Sequence, residues 1–313
     1  LSLSQQEYLY YLSEAAKCGR DILWDQNYKY NLTVRRTLEN ILSSFKDKRE
    51  TKDWAEFEVY AKRVFFSNGI HHHYSEDKIM PTFSKDYFKS LIKASSPNAF
   101  PTNKGEKIDQ FAARITDIIF NPKVAPVRKE TDKTKDIVAN SAVNFYEGVT
   151  REEAENFYNN QVSPDENRPL SHGLNSKLIK NDGKIYEETY KVGGLYTQAI
   201  EEILHWLEKA EKVAENDKQR EYIRLLIQYY KTGDLKTWDD YNVAWASDIE
   251  SQCDFVNGFI ENYTDPLGMK ATWEAVVNFK DIEATKRTEI ISSNAQWFED
   301  HSPVAQEYKK KEV

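Results

Sequence analysis

The sequence lacks the segments and motifs that define several common classes of protein. No run approaches the ~18 consecutive apolar residues that a membrane-spanning helix needs. Its two cysteines, Cys18 and Cys253, are too few for a disulfide scaffold and have no metal-ligand spacing. Glycine-rich phosphate loops, a dinucleotide fingerprint and the Gly-x-Ser-x-Gly turn are also missing. These absences argue against a membrane-spanning protein, a nucleotide-binding protein and a serine hydrolase.

The charge balance argues against nucleic acid as a partner. The chain of 313 residues has a net charge of -8, and its lysines and arginines are interleaved with acidic residues. A broad cationic surface for binding phosphates is therefore not expected. Hydrophobic residues make up 40% and charged residues 30% of the chain, which is typical of a folded globular protein.

Three consecutive histidines, His71–His73, raise the question of a metal site. Neighbouring residues on one backbone cannot easily direct three imidazoles at one ion, and no histidine of the chain lies in a His-Glu-x-x-His pair. One interpretation is a loop or strand edge after the helix that ends near Phe66, with one imidazole packed and the others exposed. The other is a self-contained metal centre that gains carboxylate ligands from the fold.

Hydrophobic periodicity predicts an α+β fold that is mostly helical, with a small β-sheet or partial barrel. Apolar residues recur at three- and four-residue spacing, as in amphipathic helices. The predicted helices cover residues 4–20, 33–47, 51–67, 105–119, 152–160, 199–213 and 235–249, and one more helix follows residue 213 and ends at residue 231. Thr150 and Glu153 form a capping-box pattern, and Asp182–Gly183 predicts the turn of a hairpin within residues 174–190. The longest helical pattern is at residues 269–299, where Trp273, Val276 and Val277 begin an apolar stripe.

A short apolar segment near residue 260 carries a carboxylate and a phenol two residues apart. On a strand, period-two geometry would place Glu261 and Tyr263 on the same face. Such a carboxylate can hold an ammonium group, and such a phenol can donate to a carbonyl oxygen that is becoming negative. Spacing alone leaves open that both residues simply face solvent before the Asp265–Pro266 turn.

The run FIENYTDPLG at residues 259–268 resembles the Phe-Ile-Glu-x-Tyr-x-Asp-Pro-x-Gly segment of the dipeptidyl peptidase III family. Residues 269–299 look like bacterial, Bacteroides-like members of that family. The run SNGIHHHY at residues 67–74 is similar to the family's substrate-cleft loop. The resemblance implies a two-lobed zinc exopeptidase that releases dipeptides from peptide N-termini.

The resemblance also implies roles for particular residues. Glu261 matches the carboxylate that holds the substrate's free amine, and Tyr263 matches the phenol that supports the tetrahedral intermediate. Asn262 and Tyr74 are expected to bind substrate as well. The family's His-Glu-x-x-Gly-His zinc motif is absent from this chain, so no metal ligand is expected among its residues, and zinc would be bound elsewhere in the parent enzyme.

The absence of the zinc motif also determines the domain organisation that we expect. Residues 1–268 would form the helical substrate-binding lobe, and residues 269–313 a long helix leading toward the zinc-binding lobe. The isolated chain is expected to be inactive, with short peptides bearing a free N-terminus and the zinc lobe as its partners, and with no nucleic acid or membrane. The resemblance implies a cytoplasmic protein, and export stays open because the native N-terminus is not expected to be present. The alternative is a non-enzymatic helical interaction module, in which Glu261 and Tyr263 would lie outside any cleft.

Overall fold

The computed structural model describes residues 1–165 and 167–313. Its helices are α1 (Leu3–Cys18), α2 (Arg20–Asn27), α3 (Asn31–Ser44), α4 (Lys52–Phe66), α5 (Lys85–Lys93), α6 (Ile108–Phe120), α7 (Arg151–Asn159), α8 (Thr197–Lys212), α9 (Asp217–Thr232), α10 (Leu235–Ala246), α11 (Ile282–Ser292) and α12 (Ala295–His301). Its strands are β1 (Tyr146–Glu147), β2 (Ser176–Asn181), β3 (Lys184–Thr189), β4 (Cys253–Glu261) and β5 (Thr272–Phe279). The mostly helical α+β class is confirmed.

Two hydrophobic cores lie on either side of α2. Helices α3 to α6 build the first core around residues such as Phe57 and Phe111. Helices α1, α8, α9 and α10 build the second core together with strands β4 and β5. Helix α2 contributes Trp24 to the first core and Ile22 to the second. The β4–β5 hairpin therefore packs against a layer of helices formed by α1, α8, α9 and α10.

Capping and turn motifs in the sequence predicted several helix and strand boundaries correctly. The Thr150 hydroxyl accepts a hydrogen bond from the Glu153 amide, and α7 begins at the next residue, as the capping box predicts. Strands β2 and β3 pair antiparallel around Asp182–Gly183, whose φ angles of 49° and 78° suit a primed hairpin turn. Helix α9 ends at Thr232, before Gly233 with φ 73°. In the part of the chain that the structure describes, no helix is long and apolar enough to cross a membrane.

The prediction of one long helix at residues 269–299 is wrong. Strand β5 pairs antiparallel with β4, and Trp273, Ala275 and Val277 pack against the second core at two-residue spacing. The backbone then turns into α11 and α12, neither of which contains a buried residue. Glu283 pairs with Lys286 at 3.0 Å on the exposed side of α11. These helices are surface elements, and whether they lead toward a further lobe stays a prediction.

Candidate functional site

A β-bulge sets the direction of Glu261 at the end of β4. Phe259 pairs with Trp273 and Glu261 pairs with Thr272, so Ile260 is an extra residue in the ladder. The bulge turns Glu261 away from the face that carries the buried Phe259. The hydroxyl of Thr272 donates to the Glu261 carbonyl oxygen at 3.0 Å and secures this end of the hairpin.

A second carboxylate lies near Glu261. Glu274 is two residues beyond Thr272 on β5 and therefore shares its face. Burial and repulsion from the Glu261 carboxylate raise the pKa of Glu274. Neither carboxylate forms an ion pair or a side-chain hydrogen bond within residues 1–165 and 167–313. This edge of the hairpin therefore presents negative charge that the described residues leave uncompensated.

Tyr263 does not belong to the strand. Because β4 ends at Glu261, strand alternation does not relate the two side chains, and that part of the prediction is wrong. Tyr263 lies in the turn that follows and is 65% exposed. Asn262 braces this turn, since its amide nitrogen donates to the Gly268 carbonyl oxygen at 2.7 Å. A role for Asn262 in binding substrate stays a prediction.

Asp265 anchors the same turn from beneath. Its side chain is fully buried, and Oδ2 accepts hydrogen bonds from the Tyr146 hydroxyl at 3.0 Å and from the amides of Met269 and Lys270 at 2.8 and 2.9 Å. Burial raises the pKa of Asp265, while the hydrogen bonds from the amides of Lys270 and Met269 and the charge of Lys270 oppose the rise. Three donors on one oxygen therefore anchor the turn two residues after Tyr263.

Lys270 is buried directly behind this turn. Its ammonium donates to the Tyr158 hydroxyl at 2.6 Å and to the carbonyl oxygens of Ser176 and Gly173 at 3.0 and 3.3 Å. Burial lowers the pKa of Lys270 to about 8, although Glu187 and Asp265 oppose the shift. The ammonium ties the start of β5 to strand β2 and helix α7.

Tyr74 and Tyr263 are brought together in space. They line one cavity of about 360 Å³, together with His73, Arg128, Thr264 and Thr272. Tyr74, at 85% exposure, projects from the loop after α4. Glu261 and Asn262 are not part of this lining, although they precede Tyr263 directly. The interaction-module alternative placed both Glu261 and Tyr263 outside any cleft, and for Tyr263 that expectation is wrong.

Arg128 and Lys129 connect the two walls of this cavity. Arg128 is buried and donates two hydrogen bonds to the Glu76 carboxylate at 2.6 and 2.7 Å, which holds the Tyr74 loop. The ammonium of Lys129 donates to the carbonyl oxygen of Tyr263. Neither residue was identified from the sequence, because they lie in a loop without periodicity and act on partners far along the chain.

The histidine triplet forms a loop and not a metal centre. His71 is 2% exposed, its Nε2 lies 2.9 Å from the Ala125 carbonyl oxygen, and burial lowers its pKa to about 4. Nδ1 of His72 accepts from the amides of Tyr74 and Ser75 at 3.2 Å each. The prediction of one packed imidazole is therefore confirmed, and His72 is exposed as expected, whereas His73 is half-buried against Phe66. Across the described residues, no group of three or more histidines, cysteines or carboxylates could hold a metal ion, so these residues do not fit a zinc ion.

Comparison with known proteins identifies the family. The model for Peptidase family M49 matches residues 112–313, which is more than half of the chain. The chain belongs to this family. The resemblance to the dipeptidyl peptidase III family is also confirmed by individual relatives. Dipeptidyl peptidase 3 of Dictyostelium discoideum is 20% identical over 99% of this chain, and that of Mus musculus is 20% identical over 78%.

Two solved structures of dipeptidyl peptidase III share the fold. DPP III from Caldithrix abyssi superposes with a TM-score of 0.61 at 19% identity, over 99% of this chain and 46% of that one. Dipeptidyl-peptidase III from Corallococcus sp. strain EGB gives a TM-score of 0.59 at 16% identity, over 100% and 45%. The chain thus spans less than half the length of these relatives, 46% of the Dictyostelium protein and 36% of the mouse protein.

Proposed function

We propose that this chain supplies the substrate-binding half of a zinc-dependent dipeptidyl peptidase that releases dipeptides from the N-termini of short peptides. The observation that carries the proposal is that Tyr74 and Tyr263 line the same cavity. Glu261, at the end of β4, precedes Tyr263 by two residues. Membership of family M49 and the likeness to dipeptidyl peptidases 3 support the class of reaction.

Glu261 binds the substrate's ammonium group in this proposal. Its carboxylate is exposed and has no cationic partner in the described part of the chain, so it can accept charge-assisted hydrogen bonds from a ligand. Glu274 adds negative charge on the same face of the hairpin. Holding the amine at a fixed point determines which peptide bond lies at the reacting position, because the chain is then counted from its amino end.

Tyr263 donates a hydrogen bond to the carbonyl oxygen of the bond to be cleaved. A phenol on a rigid turn is suited to this task, since a preorganised donor stabilises developing negative charge without reorganising. The anchoring of the turn by Asp265 supplies that rigidity. Tyr74 closes the opposite wall and contacts the side chains of the peptide.

The zinc ion and its ligands belong to another part of the parent enzyme in this proposal. Its support is the absence of a fitting ligand cluster in the described residues, together with the coverage of only 46% of the Dictyostelium relative. The isolated chain should then bind peptides without hydrolysing them. Its cellular compartment stays a prediction from resemblance.

The proposal is tested by measuring peptide binding to the chain by isothermal titration calorimetry. A tetrapeptide with a free amine should bind Glu261→Gln roughly tenfold more weakly than wild type, since a hydrogen bond to a charged group contributes about 1.5 kcal/mol or more. N-acetylation should weaken binding to wild type by a similar factor and leave the variant unaffected. Glu283→Gln, on the exposed helix α11, is the matched control and should bind like wild type.

Kinetics of the parent enzyme test the division of roles. Glu261→Gln should raise KM, whereas Tyr263→Phe should lower kcat by about 100-fold, the usual cost of losing one donor to an oxyanion. Wild-type kinetics in both variants would contradict the assignment.

A further inference from the structure

We propose that a groove beside the Tyr74–Tyr263 cavity binds the C-terminal end of the same short peptide through its α-carboxylate. This inference rests on the proposed function, because it takes the peptide's amino end to lie at Glu261. It adds a second anchoring point and defines the preferred ligand as a short peptide with both termini free.

The groove is continuous with the candidate site. It has a volume of about 740 Å³ and lies between the C-terminal half of α4 and the loop at residues 72–80. Phe66, Ser67 and His73 line both this groove and the Tyr74–Tyr263 cavity. The rings of Phe66 and His73 are in edge-to-face contact at 4.9 Å and form the ridge between the two. A ligand that extends beyond Tyr74 therefore enters the groove.

One face of α4 forms a wall of the groove. Val59, Lys62, Arg63 and Phe66 all line it and follow the spacing of a single helical face. Seven residues of α-helix rise about 10 Å, and an extended peptide advances about 3.3 Å per residue. The wall can thus accompany about three residues of an extended peptide.

The groove and the cavity together expose large apolar side chains on one continuous surface. Val59, Phe66 and Met80 are 50%, 74% and 42% exposed in the groove. Tyr74 and Tyr263 are 85% and 65% exposed in the adjoining cavity. Contiguous apolar exposure of this kind marks a binding surface, whereas scattered single residues would not.

Charges of opposite sign near this surface match a peptide with free termini. Lys62 and Arg63 line the groove, whereas Glu261 precedes the cavity residue Tyr263 by two positions and lies near Glu274. Arg63 is exposed and forms no ion pair among the described residues, so it is available to a ligand carboxylate. The acidic residue of the lining is Asp77. In a chain of net charge -8, this basic end is a local feature.

Lys78 also lines the groove but does not supply that charge to a ligand. Its ammonium donates to the carbonyl oxygens of Asn121 and Val124 at 2.7 Å each. Arg63 is therefore the residue assigned to the carboxylate. Lys62 lies beside it and has a secondary role, because its ammonium lies 3.8 Å from the Glu58 carboxylate in a loose ion pair.

The test is calorimetric titration of the chain with a hexapeptide ending in phenylalanine, in three forms: both ends free, C-terminal amide, and N-acetyl. Amidation should weaken binding to wild type about fivefold, and Arg63→Glu should weaken binding of the free peptide about tenfold. The variant should no longer distinguish the free acid from the amide. Arg287→Glu, which reverses the charge of an exposed arginine on α11 outside both cavities, should behave like wild type.

The three forms separate failure of this inference from failure of the proposed function. If amidation and Arg63→Glu have no effect while N-acetylation still weakens binding, the groove assignment is overturned and the role of Glu261 stands. Equal weakening of acid and amide by Arg63→Glu also overturns the carboxylate assignment. If N-acetylation has no effect, or no form binds at millimolar concentration, the proposed function fails and the groove inference fails with it.

Discussion

Lys270 should make the stability of the chain rise with pH between about 7.5 and 9.5. Its pKa is lowered from 10.5 to about 8 by burial in the folded protein. Below pH 8 the ammonium is charged in both states, and burying it destabilises the fold. Between pH 8 and 10.5 the unfolded chain binds more protons than the folded one, so the free energy of unfolding increases with pH.

The size of this effect follows from the shift. The full difference between 10.5 and about 8 corresponds to about 3 kcal/mol, and the part that develops between pH 7.5 and 9.5 is about 2 kcal/mol. Other groups titrate in the same range. Burial also lowers the pKa of Lys78 to about 8, and it raises the pKa of Cys253 to about 11, which acts in the opposite direction. The contribution of Lys270 must therefore be measured as a difference between variants.

Urea denaturation followed by tryptophan fluorescence, in reductant, gives that difference. The free energy of unfolding of wild type minus that of Lys270→Met should rise by about 2 kcal/mol from pH 7.5 to 9.5. Methionine keeps the length of the side chain and removes its charge. The difference between wild type and Lys133→Met, at an exposed site, should stay constant. A flat or falling difference for Lys270→Met would refute the conclusion that a charged ammonium is buried behind the turn.

Two further substitutions, measured by urea denaturation, test the packing and hydrogen bonds beneath the candidate site. Gly258→Ala should destabilise the chain by about 3 kcal/mol, because the new methyl carbon would lie 2.4 Å from the buried Trp238 ring. The control Gly183→Ala has nothing within 4 Å and should cost only the ~1 kcal/mol of a positive φ, so equal losses in the two variants would contradict the steric argument. Asp265→Ala should lower the free energy of unfolding by about 3–5 kcal/mol, since it leaves three donors without their acceptor and removes the charge that partly offsets the charge of Lys270. A decrease below 1 kcal/mol would show that the turn does not depend on this carboxylate.

Features set by neighbouring residues could be predicted from the sequence. The start of α7 depends on Thr150 and Glu153, and the β2–β3 turn depends on Asp182 and Gly183. In each case the hydrogen bond or φ angle that fixes the boundary lies within a few residues. The positions of most helices before residue 250 could be predicted for the same reason, because an amphipathic face repeats locally, whereas α2 and α5 were not predicted.

The segment after residue 268 shows where local pattern fails. Trp273, Val276 and Val277 fit a helical stripe, while Trp273, Ala275 and Val277 fit strand alternation equally well. The choice between them is made by pairing with β4 across the turn, from Cys253 opposite Phe279 to Glu261 opposite Thr272. Ladder hydrogen bonds and burial of the Trp273 indole against the second core favour the strand. Periodicity within one segment contains no information about that partner.

The candidate site depends on partners at still greater distance. Arg128 reaches Glu76 across 52 residues of sequence, and Lys129 reaches Tyr263 across 134. Resemblance identified Tyr74 and Tyr263 individually, yet their meeting in one cavity depends on adjacent side chains that each hold one wall. Both side chains project from one short stretch of backbone, so residues 128–129 contact the Tyr74 loop on one side and the Tyr263 turn on the other. The distance between the two walls of the cavity therefore depends on residues 128–129 as well as on the motif residues themselves.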